Sequence, residues 1–268
     1  MDESLHFLSL SPIRNLDRVV VVTGVSSGIG LAITKALIGH QCHVVGSVRK
    51  EADAKRLQAE FEEHFTPLLF DVTDEAAVRH AALYVRALMN GHTLMGLVNN
   101  ADASFRAAQE PLSIHVGLYA TGEMPIGKLR QQLEVNLVAQ VAVIQAFLPL
   151  LGTDLSLRGR PGKILNNSSI FGRYALPFTT AYAANKAGLN AISEGLHREL
   201  RPFDIDMVVI APGPIETEIW EDAVGDDQQV GHNKGPFDPF IKNFQTNANA
   251  LTKKPRWFPP TSTVGEKV

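Results

Sequence analysis

Residues 18–40 read RVVVVTGVSSGIGLAITKALIGH. The first seven, Arg18 to Gly24, are a continuous apolar run closed by glycine, the pattern of a strand buried on both faces of a parallel sheet. Gly28 to His40 then repeats apolar residues at helical spacing. Between the two, Thr23-Gly24-Val25-Ser26-Ser27-Gly28-Ile29-Gly30 sets three glycines in a strand-to-helix turn. Gly24 allows a sharp turn, Gly28 allows the backbone to approach a pyrophosphate, and Gly30 allows helix to pack closely on sheet, with the helix N-terminus facing the phosphates. A tight loop that holds no ligand is the plainer alternative. The position of the turn, at the head of a strand-helix series, favours dinucleotide binding.

Outward from this unit the alternation continues. Strands are expected at CHVVGSVR (42–49), TPLLFDV (66–72), LMGLVNNA (94–101), GKILNNSS (162–169) and IDMVVIAP (205–212). Helices are expected at 51–65, 74–89, about 127–151 and about 178–201. Six such units predict an α/β fold, a single Rossmann-type doubly wound parallel β-sheet with helices on both faces and right-handed crossovers. Residues 1–17 read as an N-terminal arm, 18–217 as one dinucleotide-binding and catalytic domain, and 218–268 as a substrate-lid or tail region of that domain. The Pro- and Gly-punctuated stretches DDQQVGHNKGPFDPFIKNF and KKPRWFPPTSTVGEKV carry no element signal, and irregular structure is expected there.

Composition bounds the function. The 268 residues are 45% hydrophobic and 20% charged, in the ordinary globular range. Twenty-five Lys and Arg against 28 Asp and Glu give a net charge of −3, which offers no basic footprint for nucleic acid or an anionic membrane. The single cysteine, Cys42, excludes an intramolecular disulfide and a cysteine-built zinc site, and suits a reducing, cytoplasmic setting as a small buried apolar residue. Acids at positions 2 and 3 argue against a secretory signal. The most apolar long segment, Val135 to Leu151, is interrupted by Asn136, Gln140, Gln145 and Pro149 and falls short of the roughly 20 residues of a membrane span, so none is expected. Nine histidines show no ligand spacing, so no metal site is expected.

Two places carry the chemistry. At the end of the second strand stand Ser47, Val48 and Arg49, with no carboxylate to accept from the adenosine ribose hydroxyls. A guanidinium there can grip a 2′-phosphate, which makes NADP(H) the preferred coenzyme over NAD(H) unless Arg49 merely begins a solvated helix. Further on, Tyr182 and Lys186 lie four apart, on one face of a helix. A phenol, with its ordinary pKa of about 10, is a poor base at neutral pH, and a neighbouring ammonium is expected to lower it into working range. Ser169, thirteen residues earlier, ends a predicted central strand at the sheet edge where open α/β sheets bind ligands.

Taken together, these residues resemble the short-chain dehydrogenase/reductase family across about residues 18–217. Thr23 to Gly30, including Gly24, Ser26, Ser27, Gly28, Ile29 and Gly30, match its T-G-x-x-x-G-x-G. Asp71-Val72 match its adenine-contacting position, Asn99-Asn100-Ala101 its N-N-A-G element, and Pro212-Gly213 with Ile215 and Thr217 its nicotinamide-holding loop. Asn136, Ser169, Tyr182 and Lys186 match its catalytic tetrad. The resemblance implies hydride transfer between a nicotinamide coenzyme and a carbonyl or secondary alcohol, with Ser169 fixing the substrate oxygen and Tyr182 exchanging its proton. Lys186 would bind the nicotinamide ribose and depress the Tyr182 pKa, and Asn136 would hold a water leading to solvent. Local sequence is most similar to the steroid- and retinol-dehydrogenase-like branch, which implies a fairly apolar small-molecule substrate. Family habit also implies a homodimer or homotetramer.

The departures from the pattern are specific. Asp102 replaces the glycine of N-N-A-G, bringing a side chain and a charge to a site built for neither. Asn185 replaces the usual Ser before the lysine, a milder change because an amide offers similar hydrogen bonding. The 103–125 stretch is longer than the family's, and the final strand expected near the C-terminus is not evident. A second reading therefore stands beside the enzyme: a catalytically weak dinucleotide-binding sensor or assembly protein on the same scaffold.

Overall fold

A computed structural model of the chain describes residues 13–102, 120–213, 235–252 and 261–265. Six strands, β1 (Val19–Val22), β2 (His43–Val48), β3 (Phe65–Leu69), β4 (Gly96–Asn99), β5 (Lys163–Asn167) and β6 (Asp206–Ile210), form one sheet in the order β3-β2-β1-β4-β5-β6. Every pairing is parallel, with Val20 opposite both Val44 and Gly96. The sheet is flanked by α1 (Gly28–Gly39), α2 (Glu51–Phe61), α3 (Glu75–Leu88), α4 (Ile126–Leu133), α5 (Ala139–Phe147) and α6 (Thr180–Glu199). The α/β alternation and doubly wound topology are as the sequence predicts.

The four valines of β1 show why the run carries no polar residue. Val19 and Val21 face a core shared with Leu97, Ile164 and Phe147, while Val20 and Val22 face the opposite core with Val44, Ile33 and Leu57. Alternation across the strand sends neighbours to opposite sides, and helices cover both. Burying each such side chain contributes about 1.5–3 kcal/mol. Cys42 lies in the second core as a small apolar residue, 2% exposed. The strand order reverses between β1 and β4, which opens a crevice at the carboxyl ends of these two strands.

Gly30 closes α1 down onto that crevice. A Cβ at this position would run into the Gly24 carbonyl oxygen and the Asn100 side-chain amide. Gly30→Ala is therefore expected to lower stability by about 1–3 kcal/mol, the usual range for overpacking, read as a reduced urea midpoint. An unchanged midpoint would show that the turn yields freely.

The structure corrects three expectations. The segment expected to be one helix over 127–151 contains a π turn, Glu134–Val138, between α4 and α5, and finishes in a 3-10 turn, Leu148–Leu151. The whole run Ile126–Leu151 is 26 residues, long and apolar enough to cross a membrane by length and composition, contrary to the shorter estimate. Its Val143, Ile144, Phe147, Leu150 and Leu151 are instead packed in the core. The tail is also more regular than expected. A helix α7 spans Asp238–Thr252, opened by Asp238-Pro239, an acid and a proline where helices start, with an Asp238–Lys242 ion pair at 2.9 Å. A short helix α8, Ser262–Gly265, packs its Gly265 against Ala32 and Ala36 of α1. Among the described residues no strand follows β6, which is the last strand of the described sheet.

Candidate active site

The glycine turn is clamped to the ends of two neighbouring strands. The Gly24 amide donates to Ser47 Oγ at 3.0 Å, and Asn100 Nδ2 donates to the carbonyls of Thr23 and Gly24, each at 3.0 Å. Thr23 Oγ1 accepts the amides of Asn100 and Ala101 at 3.0 and 2.9 Å. Gly24 is held at φ +70°, beside the Ala101 backbone. Gly28, at φ +59°, has open space where a Cβ would stand, and the N-cap Ser27 makes no side-chain cap bond to the first turn of α1. An uncapped N-terminus of a 12-residue helix with open space over its glycine fits a pyrophosphate. Ser26, Gly28 and Ile29 are partly exposed around it, and Ser27 is exposed.

Arg49 follows β2, is exposed, and makes no hydrogen bond or ion pair to a described residue. A second guanidinium, which the sequence reading missed, reaches the same turn: Arg56 Nη2 donates to the Ser26 carbonyl at 2.7 Å while pairing with Asp53 at 3.0 Å. Its position on α2 carries no motif, so only the packing of α2 beside the turn discloses it. Asp71 is exposed after β3, its carboxylate accepting from the Thr73 amide and hydroxyl at 2.9 and 2.8 Å, and Val72 beside it is buried.

Asn99 and Asn100 are bound up in the scaffold. Asn99 Nδ2 donates to Asn166 Oδ1 and to the Gln140 carbonyl, and Asn100 Oδ1 accepts from Asn167 Nδ2, all at 3.0 Å. The Ala101 carbonyl accepts from Gln140 Nε2 at 2.6 Å. These bonds tie the end of β4 to β5 and to α5 at the level of the crevice. Pro212 lies at the β6 end, its carbonyl accepting the Ile170 amide at 2.9 Å, with Gly213 beside it. Ile215, Thr217 and residues 103–119 of the extended loop lie outside the described residues.

Four residues of the expected tetrad are carried by three elements. Ser169, just past β5, caps the short turn Ile170–Gly172 and accepts the Phe171 amide at 3.2 Å. Tyr182 and Lys186 lie one turn apart on α6, the ammonium 5.5 Å from the phenol ring centre. Asn136 sits in the π turn, 1% exposed and packed against α6. Such turns recur where a helix is distorted for function. Ser169 hydrogen-bonds the Tyr182 hydroxyl, and the Phe171 ring meets the Tyr182 ring edge-on, 6.2 Å between centres. Lys186, only 3% exposed, donates to the Asn167 carbonyl at 3.0 Å. Asn185 is fully buried, and neither side-chain atom has a partner among the described residues, so it does not act as a hydrogen-bonding equivalent of serine there.

The electrostatics overturn one expectation. Asp102 Oδ2 pairs with Lys186 Nζ at 2.9 Å and accepts from the Tyr182 hydroxyl at 3.4 Å. The Tyr182 phenol is consequently pushed well above its ordinary value, first by burial and next by the Asp102 charge, against the Ser169 hydrogen bond that pulls it down. The lowering expected from Lys186 is not seen: its ammonium is paired with the Asp102 carboxylate, and burial together with that carboxylate's charge outweighs the Ser169 hydrogen bond.

Residues 18–228 match the family model of the short chain dehydrogenases. The chain belongs to the short-chain dehydrogenase/reductase family. It is 40% identical over 203 residues to an NADPH-dependent 3-dehydrocapnine reductase of Ornithobacterium rhinotracheale, covering 76% of this chain and 67% of that protein. It is 30% identical over 203 residues to human retinol dehydrogenase 16, covering 76% of this chain and 58% of the relative's length. It is also 30% identical over 201 residues to bovine 17-beta-hydroxysteroid dehydrogenase type 6, covering 75% and 58%. A crystal structure of a short-chain dehydrogenase from Streptomyces avermitilis shares the fold with a TM-score of 0.72 at 24% identity, covering 93% of this chain and 82% of the other. This short-chain dehydrogenase/reductase is thus a nicotinamide-dependent oxidoreductase with similarity to the steroid and retinol branch.

Proposed function

We propose that this short-chain dehydrogenase/reductase moves hydride between NADP(H) and a carbonyl or secondary alcohol on a fairly apolar small molecule, with Tyr182 as general acid/base. The observation that carries the reading is the meeting of the Ser169 hydroxyl, the Tyr182 phenol and the Lys186 ammonium at the carboxyl edge of the sheet, beside an uncapped glycine-rich helix start. A bound nicotinamide supplies the hydride. The chain supplies the rest: Ser169 and Tyr182 hold the substrate oxygen, and Tyr182 passes it a proton as negative charge develops there. Lys186 binds the ribose end of the coenzyme, and buried Asn136 positions a water on the way to solvent.

The name of the 40% identical relative supports NADPH and reduction, and those of the retinol and hydroxysteroid dehydrogenases support an apolar substrate. A cytoplasmic location and a homodimer or homotetramer complete the reading. The test is a panel of hydrophobic ketones with NADPH. Turnover supports the proposal, whereas coenzyme binding without turnover across the panel favours the sensor reading, which the engagement of Lys186 by Asp102 motivates. For coenzyme choice, Arg49→Ala is expected to weaken NADPH binding about tenfold, roughly 1.4 kcal/mol, and to leave NADH binding unchanged, both read by titration calorimetry. Equal losses for the two coenzymes would remove Arg49 from the 2′-phosphate.

A further inference from the structure

Among the described residues, the Asp102 carboxylate reaches both Lys186 and Tyr182 of the tetrad. Its Oδ2 lies 2.9 Å from Lys186 Nζ and 3.4 Å from the Tyr182 hydroxyl, and the pair is largely withdrawn from solvent, the ammonium being 3% and the carboxylate 19% exposed. Its second oxygen, Oδ1, is buried with no hydrogen-bond partner among the described residues. A carboxylate so placed acts twice on the phenol. It accepts a hydrogen bond from the protonated phenol, and it pairs off the ammonium that would otherwise stabilise the phenolate.

We propose that Asp102 is a positioning residue that keeps the Tyr182 hydroxyl protonated through neutral pH and so sets the pH at which this site ceases to donate a proton. The assignment rests on the reading of Tyr182 as general acid. The surroundings leave the role to Asp102. α4 carries Lys128 and Arg130, the π turn Glu134, the turn after β5 Arg173, β6 Asp206 and α6 itself Lys186, and among the described residues the charge that raises the phenol is that of Asp102. The other group that bears on it, the Ser169 hydroxyl, is uncharged and acts in the opposite sense.

The consequence is a matter of pH position. At any fixed pH the ratio of reduction to oxidation is set by the reaction's own equilibrium, and no side chain alters it. What Asp102 moves is the alkaline limit of carbonyl reduction, together with the acid limit of alcohol oxidation. With the carboxylate present both stand high, and the proton donor stays loaded at neutral pH.

Two measurements test the assignment. In coenzyme-free protein, the ultraviolet tyrosinate titration of the unaltered chain minus that of Tyr182→Phe isolates this phenol. It is expected to ionise above the ordinary value of about 10, and in Asp102→Asn the midpoint is expected about one to three pH units lower. The alkaline limb of kcat/KM for ketone reduction is expected to move down by the same amount in Asp102→Asn and in Asp102→Gly. A midpoint at or below about 10 in the unaltered protein, or one that Asp102→Asn leaves in place, overturns the proposal. The first of these needs no folded variant at position 102. Should Tyr182→Phe reduce ketones at the normal rate, the functional reading falls, and the coenzyme-free titration still judges Asp102 by itself.

Discussion

Tyr182→Phe is expected to reduce kcat for ketone reduction by about 10²–10⁴-fold, the usual contribution of a positioned general acid. That factor corresponds to about 3–5 kcal/mol of transition-state stabilisation. The substitution is well suited to the question. Phenylalanine keeps the ring and with it the edge-on contact to Phe171 at 6.2 Å, and loses only the hydroxyl that meets Ser169 and Asp102. Coenzyme affinity should change little, since the glycine turn and its clamp to Asn100 and Ser47 lie on other elements. The result that would sink the acid/base role is a variant that turns over at the parent rate with the same pH profile. Loss of turnover together with loss of coenzyme binding would point to general damage, which a thermal unfolding midpoint would expose.

A comparably large effect is expected on stability in acid, from a residue remote from the chemistry. His43 on β2 is 8% exposed and hydrogen-bonds Thr66 of β3 at 2.8 Å. Its imidazole is lowered from 6.5 to about 4, chiefly by burial and further by the charge of nearby His64, against a hydrogen bond to the Glu63 backbone that raises it. The sign follows from which state binds the proton first. The unfolded chain protonates His43 as pH falls through about 6.5, while the folded chain resists until about 4. Stability is therefore full above the upper value and is lost as pH drops toward the lower, by about 3 kcal/mol. Urea unfolding of the parent and of His43→Gln across that window should show the parent losing about that much more. Parallel pH dependences would mean that the folded state takes up the proton without cost. Groups that do not interact with His43 cancel in the difference between the two proteins.

Much of the fold was legible because its signals are local. Four consecutive valines mark a strand covered on both faces wherever it lies, and three glycines in the turn after it mark a backbone with no room for side chains. Ser169, Tyr182 and Lys186 were readable because strand ends and helix faces place residues at fixed spacing. The π turn at Glu134–Val138 was not, since it arises where the helix accommodates its neighbours and Asn136 keeps a helical pattern in the sequence either way. Nor was α7, whose many polar residues lie in a stretch punctuated by proline and glycine. Arg56 was hidden for a related reason: a guanidinium on a charged helix looks like solvent-facing surface until its partner, the Ser26 carbonyl, is seen.

The sequence by itself determined the chain's architecture and its family and pointed to its candidate reacting groups, because periodicity, turn chemistry and motif spacing act over short distances and tolerate variation in packing. It also flagged Asp102 as foreign to its motif. Only the tertiary structure decided what that carboxylate does, since Asp102 and Tyr182 stand 80 residues apart in the chain and meet at 3.4 Å. Protonation at such a site is a small difference between burial, a neighbouring cation and a neighbouring anion. Here burial and the Asp102 charge both raise the phenol, and both are facts of three-dimensional arrangement.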